Sequence, residues 1–560
     1  MDPFFQEAPT LGNPFERDTH LQAVIKRFCP PNDHAALQAT LSDLGSRAAG
    51  DLAAAAASAE RNPPRHIPFD PWGRRIDHIE TDTGWRRLQD AAAELGIIAD
   101  AYERPHGAWS RWHQALKLLL YHPSSAVFSC PLAMTDGAAR ALELYGAGDD
   151  QHAVFKHLTS REPAHFWTSG QWMTERTGGS DVGGTQTVAR PDGHGGYLLQ
   201  GTKWFTSATT SEIAMTLARI EGDPAGSKGL SLFMVKLRDA KGALNHITVH
   251  RLKDKLGTKA LPTAELTLEG TPATLIGGAG GGVRKIASLF NITRIYNALC
   301  AVGGMRRALL LAKDYAEKRT AFGKPIMEHP LHQTTLARLD AEASACLLLV
   351  LHTARLLGKV ECGDADDGET KLLRILTPIV KLYTAKVGIA VTSEALECFG
   401  GAGYVEDTDL PRLLRDAQVL SIWEGTTNVL CLDVWRSIER EHSLQALETE
   451  FSTRYQAIQD PACRELADLF KTRFMEATAF YREGIAQNPR QIEAAMREIV
   501  LDWSRAYAGL LQVEHAQWEH AQDGGEVGLA AAKFTASPSG SGLRNHPNIA
   551  PETLRQLARR

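Results

Sequence analysis

The sequence predicts an α+β protein of several domains, in which helices come first, a small β domain follows, and a helix bundle comes after it. Two observations lead to this prediction. The chain has 560 residues, which is more than one hydrophobic core usually supports. Strand patterns occur together in the centre, and long helical patterns follow them. Because these blocks do not alternate, the βαβ fold of dinucleotide-binding proteins is excluded.

The first predicted unit is an N-terminal helical domain over residues 1–170. Helical patterns alternate there with polar breaks from Ala36 to about Ala164. The longest break, AAAAASAERNPPRHIPFDPWGRR at 53–75, is rich in Pro and is predicted as a long connection. The N-terminus is acidic and lacks a long apolar segment, so it resembles neither a secretory signal nor a transit peptide.

The second predicted unit is a β-barrel or β-sandwich domain over residues 171–280. Its strand patterns are HFWTSGQWMTE, GGYLLQGTKWFTSA, EIAMTLARIEG, GLSLFMVKLRD and HITVHRLKDKLG. The Gly-rich stretch LIGGAGGG at 275–282 ends them. It lacks the Gly-x-Gly-x-x-Gly spacing, and no Gly-x-x-x-x-Gly-Lys-Ser/Thr motif occurs in the chain. A nucleotide-like cofactor would therefore bind in another way.

The third predicted unit is a helix bundle over residues 281–440. Apolar residues recur there at three- and four-residue steps, as at Leu309, Leu310, Ala312 and Ala316. The predicted long helices cover 283–318, 330–358 and 369–399. The fourth predicted unit, residues 441–560, is an additional helical domain with a flexible tail. Its helical region runs on from Thr427 to about Gln522, and the Ser-, Gly- and Pro-rich stretch 534–552 is predicted as a linker.

Charge and cysteine content exclude several functional classes. The net charge of −5 gives no general attraction to nucleic acid or to an anionic membrane. The eight cysteines are scattered, without a Cys-x-x-Cys pair or nearby paired histidines, so we expect neither a metal site nor a disulfide framework. We expect a cytoplasmic protein. The most apolar stretch, 345–358, is interrupted by His352 and Arg355 before it could span a bilayer, so no membrane span is predicted.

A single carboxylate, Glu424, stands in the apolar run VLSIWEGTTNVLCLDVW at 419–435. Two interpretations stay open from the residues alone. Glu424 is either an exposed turn acid in front of a helix capped by Thr426 or Thr427, or a carboxylate between apolar walls. In the second case its charged form is disfavoured, which would raise its pKa toward the operating pH and make it a usable general base.

Three other motifs are ambiguous when each is taken alone. In WMTERTGGSDVGGT at 172–185, two glycines and a serine could expose backbone N–H groups to an anion or a ring oxygen, or form a surface turn. In GTKWFTSAT at 201–209, the two aromatic residues could flank a flat ring or lie in a half-buried strand. In EKRTAFGKP at 317–325, Arg319 could clamp a pyrophosphate or favour the end of a helix.

Taken together, these stretches resemble the signatures of the acyl-CoA dehydrogenase family, which uses FAD. The motifs are MTERTGGSDV, GTKWFTS, KLGTKALPTAEL, KRTAFGKP, CFGGAGY and RDAQVLSIWEGTTN, and they extend from about Trp172 to Trp435. The stretch DPWGRRIDHIETDTGWRRL at 70–88 and the extra C-terminal helices are similar to the AidB-like branch. The resemblance implies an N-terminal helical domain, a β domain and a four-helix bundle, usually in a homotetramer, with FAD shared between neighbouring subunits.

The resemblance also implies a reaction, the α,β-dehydrogenation of a fatty acyl-CoA to the trans-2-enoyl-CoA. Glu424 would take the α-proton while the β-hydrogen leaves as hydride to the flavin. Some members place the acid at the position of Thr293, which cannot serve. An electron-transfer flavoprotein or a similar acceptor would reoxidise the flavin.

Site residues follow from the same resemblance. Those implied for FAD are Met173, Thr174, Gly179, Ser180, Trp204, Thr206, Arg319, Phe322, Glu397, Gly400, Gly401, Trp423, Thr426 and Asn428. Those implied for the substrate are Ser180, Arg294 and Gly425. Asn291 stands where many members have Asp, which departs from the usual contact with CoA.

A rival prediction is DNA binding, because the AidB-like branch has been linked to DNA protection through a basic face on its C-terminal domain. Residues 441–560 hold 13 Lys and Arg against 16 Asp and Glu, so the expected excess of positive charge is missing. Arg464, Lys471 and Arg473 remain as a candidate cluster. Acyl-CoA dehydrogenation is therefore preferred. A flavoprotein that keeps FAD but acts as a scaffold is the third alternative.

Overall fold

A computed structural model describes residues 6–537 and 547–560. The helices are α1 (Thr19–Phe28), α2 (Pro31–Ala49), α3 (Asp51–Arg61), α4 (Thr83–Glu94), α5 (Ala99–Glu103), α6 (Ser110–Tyr121), α7 (Ser129–Tyr145), α8 (Asp149–Leu158), α9 (Gly282–Lys318), α10 (Pro330–Cys362), α11 (Asp367–Cys398), α12 (Leu410–Val419), α13 (Thr427–Glu441), α14 (Ser443–Ala457), α15 (Pro461–Gln487), α16 (Pro489–Asp523), α17 (Val527–Ala536) and α18 (Pro551–Arg559). The strands are β1 (Arg65–Phe69), β2 (Arg75–Glu80), β3 (Ser169–Trp172), β4 (Val188–Pro191), β5 (Tyr197–Ser207), β6 (Ile213–Ile220), β7 (Leu230–Lys236), β8 (Ile247–Leu252), β9 (Thr263–Ile276), β10 (Thr320–Ala321) and β11 (Lys324–Pro325).

The chain divides into two units. The first holds the residues up to Ala49, His106–Pro123 and the chain from Asn297 onwards. The second holds Gly50–Pro105 and Ser124–Tyr296. The boundary therefore falls within α9, whose first turns belong to the β-containing unit and whose remainder belongs to the bundle.

The second unit is built around a closed β-barrel. Neighbouring strands run in the order β6, β4, β5, β9 and β7, and β7 pairs again with β6, which closes the ring. Strand β3 pairs with β6, and β8 pairs with β9. The predicted strand patterns are confirmed as β3, β5, β6, β7 and β8. Strand β9, which pairs with three neighbours, was not singled out from the sequence.

Strand β6 is buried on both faces, which explains its continuous apolar sequence. Ala214 and Ala218 face the barrel core with Trp172, Phe233 and Leu266. The alternate residues Ile213, Met215 and Leu217 pack in a second cluster with residues of α7, α8 and the start of α9. The helices of this unit therefore cover the outer face of the barrel at β6 and β7.

The prediction of a long connection at 53–75 is wrong. It contains the end of α3, and its second half begins an antiparallel hairpin of β1 and β2. The buried carboxylate of Asp77 supports this hairpin. It contacts His66 and Arg75, each at 2.8 Å, and accepts a hydrogen bond from the backbone N–H of Val249 in β8. Val249 is 172 residues from Asp77 in the sequence, so the local Pro-rich composition could not predict this contact.

The first unit contains the helix bundle, which includes the long helices α10 and α11, α9 from Asn297 onwards and the shorter α13. The predicted long helices are confirmed as α9, α10 and α11. Helix α11 begins with a capping box, in which Asp366 accepts from the backbone N–H of Glu369 and the Glu369 side chain accepts from the backbone N–H of Asp366. Two of these helices, α10 and α11, have the length and hydropathy of membrane spans, but 78% of each apolar window is buried in the protein.

The additional helical region is confirmed as α14, α15 and α16, and α17 and α18 follow it. The tail prediction for 534–552 is partly wrong. Phe534 belongs to α17 and is buried with Leu557 of α18 against Ala337 and Ala341 of α10. Residues 538–546 of the predicted linker lie outside the described residues.

Candidate active site

The turn between α12 and α13 presents Glu424. Its backbone is left-handed, with φ of 57°, and Gly425 follows with φ of 102°. A side chain other than glycine in this region is uncommon and costs free energy, so such positions often mark functional turns. The Glu424 side chain is half-buried, and Thr426 is the N-cap residue of α13.

Two buried side chains hold this turn from neighbouring helices. The ammonium group of Lys381 in α11 is fully buried and donates a hydrogen bond to the carbonyl oxygen of Gly425 at 2.6 Å. Asn297 in α9 donates from Nδ2 to the carbonyl oxygen of Leu420 at 3.1 Å, and its Oδ1 accepts from the indole N–H of Trp423. The residues on both sides of Glu424 are therefore tied to the bundle.

The apolar surroundings of the turn are one-sided. Leu420 packs in a cluster with Cys300, Ala301 and Ala385, and Trp423 lies against this cluster. Leu430 is also buried, whereas Ile422 is 60% exposed. One wall of the turn thus belongs to the core of the bundle, and the other is open.

The additional helical region reaches the same turn. Arg497 of α16 donates a hydrogen bond from Nη1 to Oδ1 of Asn428, at a distance of 3.1 Å. Asn428 is in the first turn of α13, four residues after Glu424. The extra domain is therefore in direct contact with a residue implied for FAD binding.

In the second unit, a buried ion pair supports the loop that contains Gly179 and Ser180. Glu175 lies 2.8 Å from the ammonium group of Lys203, and it also accepts hydrogen bonds from the backbone N–H groups of Gln186 and Thr187. Burial works against the charged form of Glu175, but Lys203 and these hydrogen bonds outweigh it and lower its pKa. The loop is thereby fastened to β5.

The exposed part of this loop offers hydrogen-bond donors. Within the described chain, the N–H groups of Gly179 and Ser180 and the Ser180 hydroxyl have no hydrogen-bond partner. A Cβ at Gly179 would lie 2.6 Å from Oγ1 of Thr174, so only glycine fits this position. Met173, just before the loop, is buried. Such a donor set suits the oxygens of a flavin or its side chain.

The two predicted site residues of strand β5, Trp204 and Thr206, differ in how deeply they are buried. Trp204 is half-buried, and the Lys253 ammonium group lies 4.0 Å from the centre of its ring. Thr206 is fully buried and donates its hydroxyl proton to the carbonyl oxygen of Ala264. Phe205, which was not included among the predicted site residues, is 50% exposed and is the more open aromatic side chain of this strand.

The predicted substrate residue Arg294 and its neighbour Thr293 lie on the part of α9 that belongs to the second unit. Arg294 is half-buried. Thr293 is buried and donates its hydroxyl proton to the carbonyl oxygen of Phe290. Asn291 on the preceding turn is half-buried.

Two exposed segments of the first unit carry the residues implied for contact with a second subunit. Arg319 and Phe322 lie at the hairpin of β10 and β11, and Phe322 is 97% exposed. Glu397, Gly400 and Gly401 lie at the end of α11 and in the 3-10 turn after it, and all three are exposed.

These two segments rest on a shared cluster that includes Tyr315, Met327 and Phe399. Tyr404, at the end of the 3-10 turn, is 91% exposed. Within the described chain, the Arg319 guanidinium group has no acidic partner, so it is available to an anion.

Comparison with known proteins gives the family. Residues 7–162 match the adaptive response protein AidB N-terminal domain, residues 170–271 the acyl-CoA dehydrogenase middle domain, and residues 280–439 the acyl-CoA dehydrogenase C-terminal domain. The chain is 42% identical to acyl-CoA dehydrogenase family member 11 of Caenorhabditis elegans over 532 residues, which cover 92% of this chain and 86% of that protein.

Solved structures agree with this result. The crystal structure of C. elegans ACDH-11 in complex with C11-CoA has a TM-score of 0.91 at 40% identity, covering 96% of this chain and 92% of that one. Putative acyl-CoA dehydrogenase AidB of Escherichia coli is 33% identical over 70% of this chain and 72% of its own length. An acyl-CoA dehydrogenase from Bacillus anthracis, solved with FAD, shares the fold with a TM-score of 0.67 at 21% identity, over 85% of this chain and 89% of that one. The chain belongs to the acyl-CoA dehydrogenase family, with an N-terminal domain of the AidB type.

Proposed function

We propose that the enzyme catalyses the FAD-dependent α,β-dehydrogenation of a fatty acyl-CoA to the trans-2-enoyl-CoA, with Glu424 as the catalytic base. The observation that carries this proposal is the conformation of the Glu424 turn. A half-buried carboxylate in a left-handed backbone is held on both sides by the buried side chains of Lys381 and Asn297. This arrangement fixes the backbone from which the Glu424 side chain extends, and a fixed position favours proton abstraction.

The proposed class of substrate is based on the similarity of this chain to C. elegans ACDH-11, with a TM-score of 0.91. C. elegans ACDH-11 has been crystallised with C11-CoA, and it covers nearly the whole of this chain. We therefore propose an acyl-CoA thioester as the substrate. Ser180, Arg294 and Gly425 are the proposed substrate contacts. An electron-transfer flavoprotein or a similar protein is the proposed electron acceptor.

FAD is the proposed cofactor, and each unit carries its own group of residues for it. When bound, it would supply the acceptor for the substrate hydride. The second unit offers the free N–H groups of Gly179 and Ser180 and the ring of Trp204. The first unit offers Asn428 beside Glu424, and the Arg319 guanidinium group suits a diphosphate because its planar fork can donate two hydrogen bonds.

We further propose that FAD is shared between subunits in a homotetramer built as a dimer of dimers. Phe322 and Tyr404 support this proposal, because both are aromatic side chains more than 90% exposed, and their segments pack on the same cluster. They lie on the same two segments as Arg319 and Gly400, which the sequence resemblance assigns to the subunit contact.

DNA binding is not favoured by the candidate basic cluster. Arg473 forms an ion pair with Asp502 at 3.0 Å. Arg464 and Lys471 both lie over the ring of Tyr455, and Arg464 also donates to two backbone carbonyl groups. The three side chains are therefore engaged within the protein.

The test is anaerobic reduction of the FAD-loaded enzyme by acyl-CoA thioesters of increasing chain length. We expect the flavin absorbance to bleach with the wild type. In Glu424→Gln the rate of bleaching should fall by about 10²- to 10⁴-fold while FAD stays bound, because the base contributes this much to proton transfer. Glu439→Gln, an exposed acid on α13, is the control and should keep wild-type rates.

Two results would contradict the proposal. Unchanged bleaching in Glu424→Gln would remove this residue from the mechanism. No bleaching of the wild type with any acyl-CoA would refute the dehydrogenation and leave a flavoprotein with a scaffold role.

A further inference from the structure

Two histidines from opposite ends of the chain meet in the first unit, away from the Glu424 turn. His20 lies on α1, and His515 and Glu519 lie one turn apart on α16. One ligand atom from each of the three side chains can be chosen so that all lie within 4.8 Å of one another. The rings of the two histidines meet edge to face, with centres 5.1 Å apart. The sequence could not indicate this group, because it contains no local histidine pair.

Four polar atoms of this group are buried and form no hydrogen bond with the described residues. His20 is 1% exposed, and neither of its ring nitrogens forms a hydrogen bond with any residue that the structure describes. Nε2 of His515 and Oε2 of Glu519 also form no hydrogen bond. Their charged neighbours are longer contacts, 3.4 Å from Nε2 of His515 to Oε1 of Glu519 and 3.9 Å from Arg560 to Oε2 of Glu519. A buried polar atom without a partner destabilises the folded state. Four such atoms in one cluster therefore point to a ligand that binds three of them, one from each side chain.

We propose that His20, His515 and Glu519 bind a divalent transition-metal ion, with zinc as the ion that fits best. Two imidazole nitrogens and a carboxylate oxygen form a donor set that zinc accepts in proteins, and a small outside ligand such as water would complete a tetrahedron. The site would link α1 to α16, and it includes none of the residues proposed for FAD or substrate.

The electrostatic surroundings of His20 and Glu519 suit metal binding. Burial, followed by the charges of Arg560, His515 and Arg306, holds the pKa of His20 well below its usual value, so the ring is neutral and able to bind a metal at neutral pH. Burial also works against the charge on Glu519. Its 3.4 Å contact with His515 and the charge of Arg560 nevertheless lower its pKa, which favours the ionised carboxylate.

The nearby cations already form ion pairs with other acids. Arg306 pairs with Asp18, and Lys313 and Arg560 pair with Asp340. Arg560 lies 3.9 Å from Glu519 but 3.0 Å from Asp340, so its ion pair persists when Glu519 turns to a metal.

Arg27 is the other cation beside the ligands. It lies 3.4 Å from Nδ1 of His515 and also pairs with Glu514. When Nε2 of His515 binds the metal, Nδ1 carries the proton, and Arg27 keeps its contacts with Glu514 and with the ring of Phe28. Metal binding thus removes the 3.4 Å contact between Arg27 and His515, and the metal ion becomes the partner of the ligand atoms.

The experiment uses the full-length protein, treated with a chelator, dialysed and titrated with Zn²⁺ and separately with Co²⁺, whose visible absorption reports ligand geometry. We expect one zinc per chain and a higher melting temperature on zinc addition, because a ligand that binds only the folded state stabilises it. His20→Ala and Glu519→Gln should each weaken binding by at least about tenfold and remove the thermal shift.

His106→Ala is the matched control. His106 belongs to a second group with Asp33 and His113 that also has metal-ligand types within reach of one another. This variant should bind zinc as the wild type does. Glu519 is partly exposed, so Glu519→Gln tests the proposal even when His20→Ala fails to fold. Absence of stoichiometric zinc from the wild type, or loss of zinc only in His106→Ala, would overturn the proposal.

Discussion

At the scale of single residues, Glu424 depends on side chains that lie far from it in sequence. Lys381 is 44 residues from Gly425, and Asn297 is 126 residues from Trp423. The apolar run and the family resemblance were enough to single out Glu424. They did not identify Lys381 or Asn297, because the role of a buried polar side chain is defined by the carbonyl group it reaches in the folded chain.

Lys381 provides the first prediction at this scale. Replacement by Met keeps the length of the side chain but removes the donor to the Gly425 carbonyl oxygen, which relaxes the turn that aims Glu424. We expect kcat for acyl-CoA dehydrogenation to fall by about tenfold or more, because small errors of position are costly in proton transfer. Steady-state kinetics with the FAD content measured in parallel would check it.

Lys386→Met, on the same helix, is the control for Lys381→Met and should retain wild-type kcat. A Lys381→Met enzyme with normal kcat would show that the turn keeps its conformation without this hydrogen bond.

The ion pair of Glu175 and Lys203 provides a second prediction. Lys203→Met should reduce the free energy of unfolding by about 3–5 kcal/mol, because it leaves Glu175 buried without its partner. Glu175→Gln with Lys203→Met should recover part of this loss. Denaturant unfolding of the three proteins would measure the differences, and equal stability of the single and double variants would contradict the coupling.

The same pair predicts a dependence on pH. The pKa of Glu175 is lowered in the folded protein, so its contribution to stability is complete above the pKa of the unfolded chain, 4.5. It is lost as the pH falls below that value toward the folded pKa. The stability difference between wild type and the double variant should therefore narrow on acidification from pH 7 to below pH 4.5.

At the scale of secondary-structure elements, periodicity predicted the long helices and the separated strands. Periodicity was less informative for segments whose structure depends on contacts with distant strands. Strand β9 is stabilised by three neighbouring strands, and the hairpin of β1 and β2 is supported by Asp77 through a contact with β8. Such contacts connect distant parts of the chain, so no local pattern contains them. Helix α17 was missed for a related reason, since Phe534 is buried only because α10 and α18 lie beside it.

Helix α16 leads to a prediction about the cofactor. Its residue Arg497 donates a hydrogen bond to the side-chain amide oxygen of Asn428. This hydrogen bond sets the direction of the Asn428 amide NH₂ group. Arg497→Ala should weaken FAD binding by about two- to tenfold, in line with the loss of one hydrogen bond at an exposed site. Fluorescence titration of the apoprotein with FAD would measure it.

Arg490→Ala, an exposed change on the same helix, is the control for Arg497→Ala. Equal FAD affinity of the Arg497→Ala and Arg490→Ala proteins would show that α16 does not position Asn428.

At the scale of the whole molecule, the last helices are fastened to the bundle by charge as well as by apolar contact. Asp340 of α10 is 1% exposed and pairs with Lys313 of α9 and with Arg560 at the end of the chain. Burial opposes its charge, but Lys313, Arg560 and Arg306 hold the pKa of Asp340 far below its usual value. The additional C-terminal region is therefore part of the first unit rather than an appended module, which the sequence alone did not indicate.

The proposed sharing of FAD between subunits leads to a prediction about mixed oligomers. Suppose that each active site combines Glu424 of one subunit with Arg319 of its neighbour. The variants Glu424→Gln and Arg319→Ala should then each be inactive or strongly impaired alone. When the two are mixed, unfolded and reassembled together, half of the dimer pairs are hybrids, and each hybrid contains one site with both wild-type residues. About a quarter of the wild-type activity should return, measured by acyl-CoA dehydrogenation at an FAD concentration that loads wild-type sites but leaves Arg319→Ala sites empty. If both residues serve the same site from one subunit, a hybrid contains no intact site, and mixing would restore nothing beyond the sum of the separate variants.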